Sequence, residues 1–236
     1  MSKRDPFKWR HFEAQIILLC VRYYLRFPLS YRNIMEMMVD RGLSINHTTI
    51  YRWVQQYAPE IKKRSRGSFR STNDSYRVDE TYIKVKGLWK YLYRAVDSEG
   101  DTIDFMLSAK RDQKAAERFF RRALKAEHAW PPRVINVDKN AAYPPAVENL
   151  KAQGILDENC ELRRCKYLNN IIEQDHRNVK RLSRAGLGFK SFSTARRTID
   201  GYETMHMIRK GQVMGIEKGA IKEQGIFIEE IFGIAA

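Results

Sequence analysis

The spacing of apolar residues changes near residue 76, and this change most limits the folds open to the chain. Before it, apolar residues recur at steps of three and four, the period of helices that bury one face. After it, β-branched and aromatic residues form short runs separated by turn residues, which is typical of strands. The sequence therefore predicts an all-α segment followed by a mixed α/β domain.

The all-α segment, residues 1–61, predicts a helix-turn-helix domain. Pro28 ends a first helix, and Ser30 can cap a second. Gly42 lies in the turn before a third helix, from about His47 to Tyr57. Two short helices joined by a glycine-containing turn form the arrangement in which the second helix reads DNA. A plain three-helix bundle with a polar surface is the alternative interpretation.

Four polar side chains of the third helix are predicted to face outward and contact DNA. Hydroxyl, amide and guanidinium groups are the usual partners of base edges and phosphates. The predicted residues are Thr48, Tyr51, Arg52 and Gln55.

The charge of the chain supports a polyanionic partner. The 43 Lys and Arg residues outnumber 28 Asp and Glu residues, which leaves a net charge of +15. Such an excess favours DNA, because each neutralised phosphate releases condensed counterions. The polar, basic segment 62–75 is predicted to be a linker. No signal peptide or membrane-spanning stretch is expected, and three cysteines without a clear pairing suit a reducing compartment.

The region from 76 to 236 predicts a mixed sheet with helices on its faces, because three strands are followed by alternating helices and strands. A further helix containing Ile199 and Tyr202 is expected to pack on the sheet, and the apolar tail 225–236 is assigned either to a dimer contact or to a docked terminus. The predicted elements are strands Tyr76–Val85, Trp89–Val96 and Ile103–Leu107, a helix from Arg111 to about Glu127, strand Val134–Val137, helix Ala141–Gln153, strand Glu161–Arg164 and a helix from about Asn169.

Three carboxylates occupy positions that suggest chemistry. Asp79 lies within an otherwise apolar strand, where a buried charge is costly unless it is paired or metal-bound. Asp138 directly follows a short strand, and ligands of open α/β sheets bind at the carboxyl ends of strands. Glu173 follows two isoleucines at the start of a helix. Taken singly, an arginine pair, a helix cap and a solvated face explain them equally well.

Together these residues resemble a known family. VDETYIKVKG around Asp79, VINVDKNAAYP around Asp138 and YLNNIIEQDHRNVKR around Glu173 are similar to motifs of DDE transposases of bacterial insertion sequences, most closely the insertion-sequence-six family. Residues 139–172, 34 in all, separate the last two carboxylates, a spacing typical of this group. The resemblance covers nearly the whole chain.

The resemblance implies a ribonuclease H-like sheet on which Asp79, Asp138 and Glu173 bind two Mg²⁺ ions, with Mn²⁺ as a possible substitute. It also implies terminal inverted repeats and target DNA as partners, a homodimer or higher homo-oligomer, and a bacterial cytoplasmic location at the nucleoid. A helix-turn-helix regulator and a related ribonuclease H-type nuclease or integrase are the alternatives. A regulator has no use for the three carboxylates, and the His/Cys zinc module of retroviral integrases is missing from the first 60 residues.

The helix that carries Glu173 is predicted to hold DNA as well. Glu173, Arg177 and Lys180 fall at i, i+4 and i+7, so they share one face, and two cations there suit a phosphate. An ordinary ion pair between Glu173 and Arg177 is the alternative. His176 is assigned either to the metal site or to the surface.

Three further acidic residues are set aside. Glu80 is on the opposite side of its strand from Asp79, Asp97 sits in a predicted turn, and Asp175 points elsewhere on the helix than Glu173.

Overall fold

The computed structural model describes residues 6–8, 10–165, 170–186 and 188–234. Their contacts divide the chain into a helical unit, residues 1–68 and 181–236, and a sheet unit, residues 69–180. Within the described ranges, no helix has both the length and the apolar character needed to cross a membrane.

The elements follow the order that the sequence predicts. The helices are α1 (Ala14–Arg26), α2 (Tyr31–Val39), α3 (His47–Ser65), α4 (Gln113–Ala123), α5 (Tyr143–Ala152), α6 (Asn170–Ala185), α7 (Phe192–Lys210) and α8 (Ile221–Ile231). The strands are β1 (Ser75–Val85), β2 (Leu88–Val96), β3 (Thr102–Ser108), β4 (Val134–Val137) and β5 (Glu161–Arg164). The predicted start of the last sheet-unit helix, Asn169, lies outside the described residues.

Helix α2 begins with a reciprocal cap, as expected for Ser30. The Ser30 hydroxyl accepts the Asn33 backbone N–H at 3.1 Å, and the Asn33 side chain accepts the Ser30 N–H at 2.9 Å. Gly42, with a φ of 75°, adopts the left-handed backbone that the turn before α3 requires. The Asn46 side chain then caps α3 by accepting the Thr48 N–H at 2.9 Å. The two helices and the turn therefore form where the sequence predicts them.

Helix α3 is longer than predicted, so the linker is shorter. Residues 62–65, expected to begin the linker, are its last turn, and Ser75 already belongs to β1. Lys62 holds this turn against α7 through an ion pair with Asp200 at 2.6 Å. A basic, polar composition marks both loops and exposed helix ends, which is why the sequence did not separate them.

The prediction that the helix containing Ile199 and Tyr202 packs on the sheet is wrong. That helix, α7, packs on α3 and α1 inside the helical unit. Gly201 permits the contact, because a Cβ atom there would lie only 2.7 Å from the side chains of Ala58 and Leu25. The close contact therefore depends on the absence of a Cβ atom at Gly201.

The apolar tail is a docked terminus over the described part of 225–236. Phe227 and Ile228 of α8 are buried. The ring of Phe232 lies 5.5 Å from that of Phe7, and the Arg64 guanidinium lies 4.7 Å from its centre. Residues 235–236 lie outside the described ranges.

The sheet unit is a five-stranded mixed sheet in the order β3-β2-β1-β4-β5. β1 pairs antiparallel with β2 and parallel with β4. One sheet face packs against α4 and α5 around Tyr76, Val78 and Phe119. Helix α4 is shorter than predicted at both ends. It begins at Gln113, where the Asp112 side chain caps it by accepting the Ala115 N–H at 2.8 Å, and it ends at Ala123. The expected fold class, a mixed sheet with flanking helices after an all-α segment, is confirmed.

Candidate functional site

Asp79 and Asp138 lie side by side on neighbouring strands. In the parallel pairing of β1 and β4, Val78 is opposite Val137, so the two aspartates are the next residues along each strand. Asp138 stands at the carboxyl end of β4, where open α/β sheets bind ligands. The Asp79 and Asp138 side chains keep 22% and 29% of their exposure. Two partly exposed carboxylates therefore lie next to each other at the carboxyl end of β4.

His176 approaches this pair from α6. Its Nε2 lies 3.4 Å from a carboxylate oxygen of Asp79, and the residue is buried. Burial lowers the pKa of His176 below its ordinary value, and the Asp79 carboxylate only partly opposes the shift. The imidazole is therefore neutral at pH 7. Of the two assignments for His176, the structure favours the one beside the candidate metal site.

Glu173 is not brought to the two aspartates. Its carboxylate is 61% exposed and lies 3.8 Å from the guanidinium of Arg177, which is 80% exposed. Lys180 is exposed as well, so the three residues share one open helix face, as their spacing predicts. Among the described residues, no group of three or more His, Cys, Asp or Glu side chains is arranged to hold a metal ion. The structure therefore assembles two of the three predicted carboxylates.

The face of α6 that meets the sheet explains this orientation. Ile172, Asp175 and Val179 are buried, and they recur at the helical spacing of an inward face. Asp175 forms an ion pair at 3.0 Å with Arg94, a fully buried residue of β2 that is opposite Asp79 in the register. Asp175 thus points elsewhere than Glu173, as predicted, and this buried pair holds α6 on the sheet. An arginine inside the apolar run of β2 was the available signal for Arg94.

Glu80 organises the loop that carries Asp138. It is buried on the opposite side of β1 from Asp79 and accepts hydrogen bonds from the Tyr143 hydroxyl, the Arg111 guanidinium and the Asn140 side chain. Arg111 also reaches the Asp138 carboxylate at 3.5 Å, and the Asn140 N–H donates to it at 2.9 Å. Two groups that Glu80 holds therefore orient Asp138.

The electrostatics of Glu80 show why it needs these partners. Burial raises its pKa, while the Tyr143 hydrogen bond and the Arg111 charge oppose that rise. The sequence placed Glu80 on the correct face but missed its role. Two adjacent acidic residues inside one strand were the signal, since each is costly there without partners.

Asp97 is a structural turn residue, as predicted. Its carboxylate accepts the backbone N–H groups of Asn73 at 3.0 Å, Glu99 at 3.0 Å and Asp101 at 2.9 Å. The residue is buried by these contacts and has no free oxygen left for chemistry at the site.

The predicted DNA-contacting residues of α3 divide into two groups. Thr48, Tyr51 and Arg52 are exposed on the outer side of the helix. Gln55 is only 8% exposed, and its amide donates to the Thr198 hydroxyl at 2.8 Å. The prediction that Gln55 faces outward is wrong, because α7 covers that flank of α3.

Comparison with known proteins adds a family. A family model described as a DDE domain matches residues 73–212. The chain is 40% identical over 205 residues to the transposase for insertion sequence-like element IS431mec of Staphylococcus aureus strain Mu50, covering 86% of this chain and 88% of that protein. Identity and coverage are the same for the transposase for insertion sequence element IS257 in transposon Tn4003 of Staphylococcus aureus.

Solved structures show weaker likenesses. The HTLV-2 integrase catalytic core domain in complex with magnesium is 15% identical with a TM-score of 0.45, over 62% of this chain and 92% of that one. A simian T-cell lymphotropic virus intasome in complex with PP2A regulatory subunit B56 gamma is 13% identical with a TM-score of 0.43, over 54% and 48%. Likenesses of this strength carry no argument about the chemistry of the chain.

Proposed function

Because the chain belongs to the DDE transposase family of bacterial insertion sequences, we propose that it binds the terminal inverted repeats of such an element, nicks the ends and joins them to target DNA. The observation that carries the proposal is the pair of partly exposed carboxylates, Asp79 and Asp138, which lie next to each other at the carboxyl end of β4 inside the matched region. The net charge of +15 suits DNA as the substrate.

The donors at this site suit a hard divalent cation. Carboxylate oxygens are the ligands that Mg²⁺ prefers, and it needs only one or two of them alongside water and phosphate. Asp79 and Asp138 would hold the metal, and we propose Glu173 as the third carboxylate of a two-ion site. Such ions, when bound, stabilise the charge that develops on the attacking and leaving oxygens of a phosphodiester displacement. Mn²⁺, which has similar oxygen preferences, should substitute.

Residues of this chain would place the DNA for two successive displacements. In the first, water attacks the phosphodiester at the element's end and the 3′-oxygen leaves; in the second, that 3′-hydroxyl attacks a target phosphodiester and displaces another 3′-oxygen. Arg177 and Lys180, exposed beside Glu173, would bind phosphate oxygens. Arg111 and Asn140 keep the Asp138 carboxylate oriented.

We assign end recognition to α2 and α3, with Thr48, Tyr51 and Arg52 as the contacts that the structure presents to solvent. Gln55 is not among the proposed DNA contacts, because its side chain is buried. Two element ends must be joined to one target, so a homodimer or higher homo-oligomer is proposed as the working assembly. Because the proposed substrate is DNA, we propose that the activity takes place in the bacterial cytoplasm, at the nucleoid.

Metal removal tests the proposed function directly. Incubating the full chain with duplexes carrying the DNA that flanks its gene should give nicks at one strand position with Mg²⁺ or Mn²⁺ and none in EDTA. Ca²⁺ should support binding with little cleavage, because its looser coordination orients the reacting oxygens poorly. Cleavage that persists in EDTA would contradict the metal assignment. Specific binding to the end duplexes without cleavage in the presence of any metal would favour the alternative function, a helix-turn-helix regulator.

Glu80→Gln tests whether the Glu80 contacts position Asp138. The variant keeps the volume and one acceptor oxygen but loses the charge that holds Arg111. Nicking should fall about 10- to 100-fold, and the Mg²⁺ concentration for half-maximal rate should rise, as is usual when a partner of a metal ligand is changed. The measurement is the nicking rate against Mg²⁺ concentration. An unchanged Mg²⁺ dependence would show that Glu80 only supports the fold.

A further inference from the structure

A cleft of about 530 Å³ lies in the helical unit, along the flank of α3. Aromatic side chains from three parts of the unit line it: Tyr31, Tyr51 and Phe189. The Tyr31 and Tyr51 rings meet edge to face, with centroids 5.6 Å apart. A cleft of this volume with flat apolar walls has the size of a small-molecule site and suits one planar, aromatic ligand.

The charged groups of the cleft are all of one sign. Arg32 and Lys190 line it and are exposed, and His47 lies beside them. Among the described lining residues none is acidic. Cations next to aromatic walls attract a ligand that combines a planar ring with an anion, the two parts of a nucleotide.

A buried carboxamide adds a specific polar group. Gln55 lines the cleft, is more than nine-tenths buried and uses its Nε2 to donate to Thr198 at 2.8 Å. The Tyr31 hydroxyl lies beside it, but the Gln55 Oε1 receives no hydrogen bond of good geometry from the described residues. A buried acceptor in this state is stabilised by a ligand that brings a donor. The exocyclic amino groups of adenine, cytosine and guanine are such donors.

We propose that the cleft receives one nucleotide of the bound DNA that has left the duplex stack. Its base lies against Tyr51 and Phe189, and its phosphate meets the exposed cations. Its amino group donates to Gln55 Oε1 once the Tyr31 side chain, which stacks on Tyr24 and covers that oxygen, has moved aside. The proposal rests on the proposed function, since only DNA bound at α3 brings a nucleotide to this flank. Thr48 and Tyr51, which belong to the predicted reading face, also line the cleft, so the two surfaces are continuous.

Binding of the full chain to bulged duplexes in EDTA tests the proposal without catalysis. The probes carry the DNA that flanks the gene, with one unpaired adenine, thymine or abasic nucleotide placed at successive positions. At one position the adenine duplex should bind about tenfold tighter than the abasic duplex, through stacking. The thymine duplex, whose unpaired base lacks the amino group, should bind with an affinity between those of the adenine and abasic duplexes.

Matched variants assign any preference to the cleft. Phe189→Ala should reduce the adenine-to-abasic affinity ratio to below about twofold, whereas Phe189→Tyr, which keeps the ring, should preserve it. Arg52→Ala removes a side chain of the same helix that does not line the cleft. It should weaken binding to all probes alike and leave the ratio unchanged.

The outcomes separate the two proposals. Binding with an adenine-to-abasic ratio near one at every position overturns the cleft assignment and leaves the proposed function standing. Displacement of the duplexes by free dAMP without any bulge preference also overturns it, because the cleft then takes a free nucleotide. Failure to bind any duplex overturns the proposed function itself.

Discussion

Asp138→Asn is expected to lower the rate of end nicking by about a thousandfold or more while end binding stays intact. Such a loss corresponds to about 4 kcal/mol of activation free energy. Asparagine keeps the shape of the side chain and can still accept the Asn140 N–H, which meets Asp138 at 2.9 Å. It loses the negative charge that a divalent cation requires beside Asp79. Binding should be equal or slightly tighter, because one carboxylate no longer repels the DNA phosphates.

Two measurements on the same preparations decide this prediction: the affinity for the end duplex and the single-turnover nicking rate. Asp157→Asn is the matched control. Asp157 is an exposed turn residue of the same unit whose side chain accepts the Asn159 N–H at 2.7 Å. The Asp157→Asn variant undergoes the same change of charge and should nick DNA at the parental rate. Parental nicking by Asp138→Asn would remove this residue from the active site.

The strands were predictable because their signals are local. Alternating side chains and turn residues mark β1, β2 and β3, and each predicted boundary falls within a residue or so of the observed one. The turn at Asp97 was predictable in the same way, because its carboxylate accepts the N–H groups of Glu99 and Asp101 within the turn; the further bond from Asn73 was not. Such features depend on residues close in sequence, so the sequence alone contains them.

The packing partner of α7 was not predictable from the same signals. The apolar positions of α7 show that it is buried, but they do not say against which element. Gly201 selects α1 and α3, because only a residue without a side chain fits against Leu25 and Ala58. The burial of Gln55 follows from that contact. A DNA-reading domain that ended at residue 61 would therefore lack the helix that covers α3.

The candidate site was predictable in part for the same reason. Asp79 and Asp138 each sit in or just after a recognisable strand, and the pairing of those strands makes them neighbours. Glu80 was missed because its partners, Arg111, Asn140 and Tyr143, are at least 31 residues away in the chain. Only the folded chain shows that these groups converge on one carboxylate.

Glu173→Gln should strongly reduce the nicking rate without loss of stability. Glu173 is 61% exposed, and its ion contact with Arg177 spans 3.8 Å on the surface. Removing such a charge changes the free energy of unfolding by no more than about 0.5 kcal/mol. If Glu173 is the third metal-binding carboxylate, the nicking rate should nevertheless fall by about a hundredfold or more. Because the structure does not bring Glu173 together with Asp79 and Asp138, this requires the Glu173 carboxylate to move to them when metal and DNA bind.

Asp175→Asn, two residues along the same helix, should show the opposite pattern in unfolding experiments. It removes the charge of the carboxylate that meets the fully buried Arg94 at 3.0 Å, and breaking a buried ion pair costs about 3 kcal/mol or more of unfolding free energy. A thermal melt should therefore separate the two variants clearly, with Glu173→Gln at the parental midpoint and Asp175→Asn several degrees lower. Lost nicking at the parental midpoint identifies Glu173 as a group that acts on the reaction and not on the fold. Parental nicking by Glu173→Gln would exclude it from the site, and His176, 3.4 Å from Asp79, would then be the α6 residue nearest the chemistry.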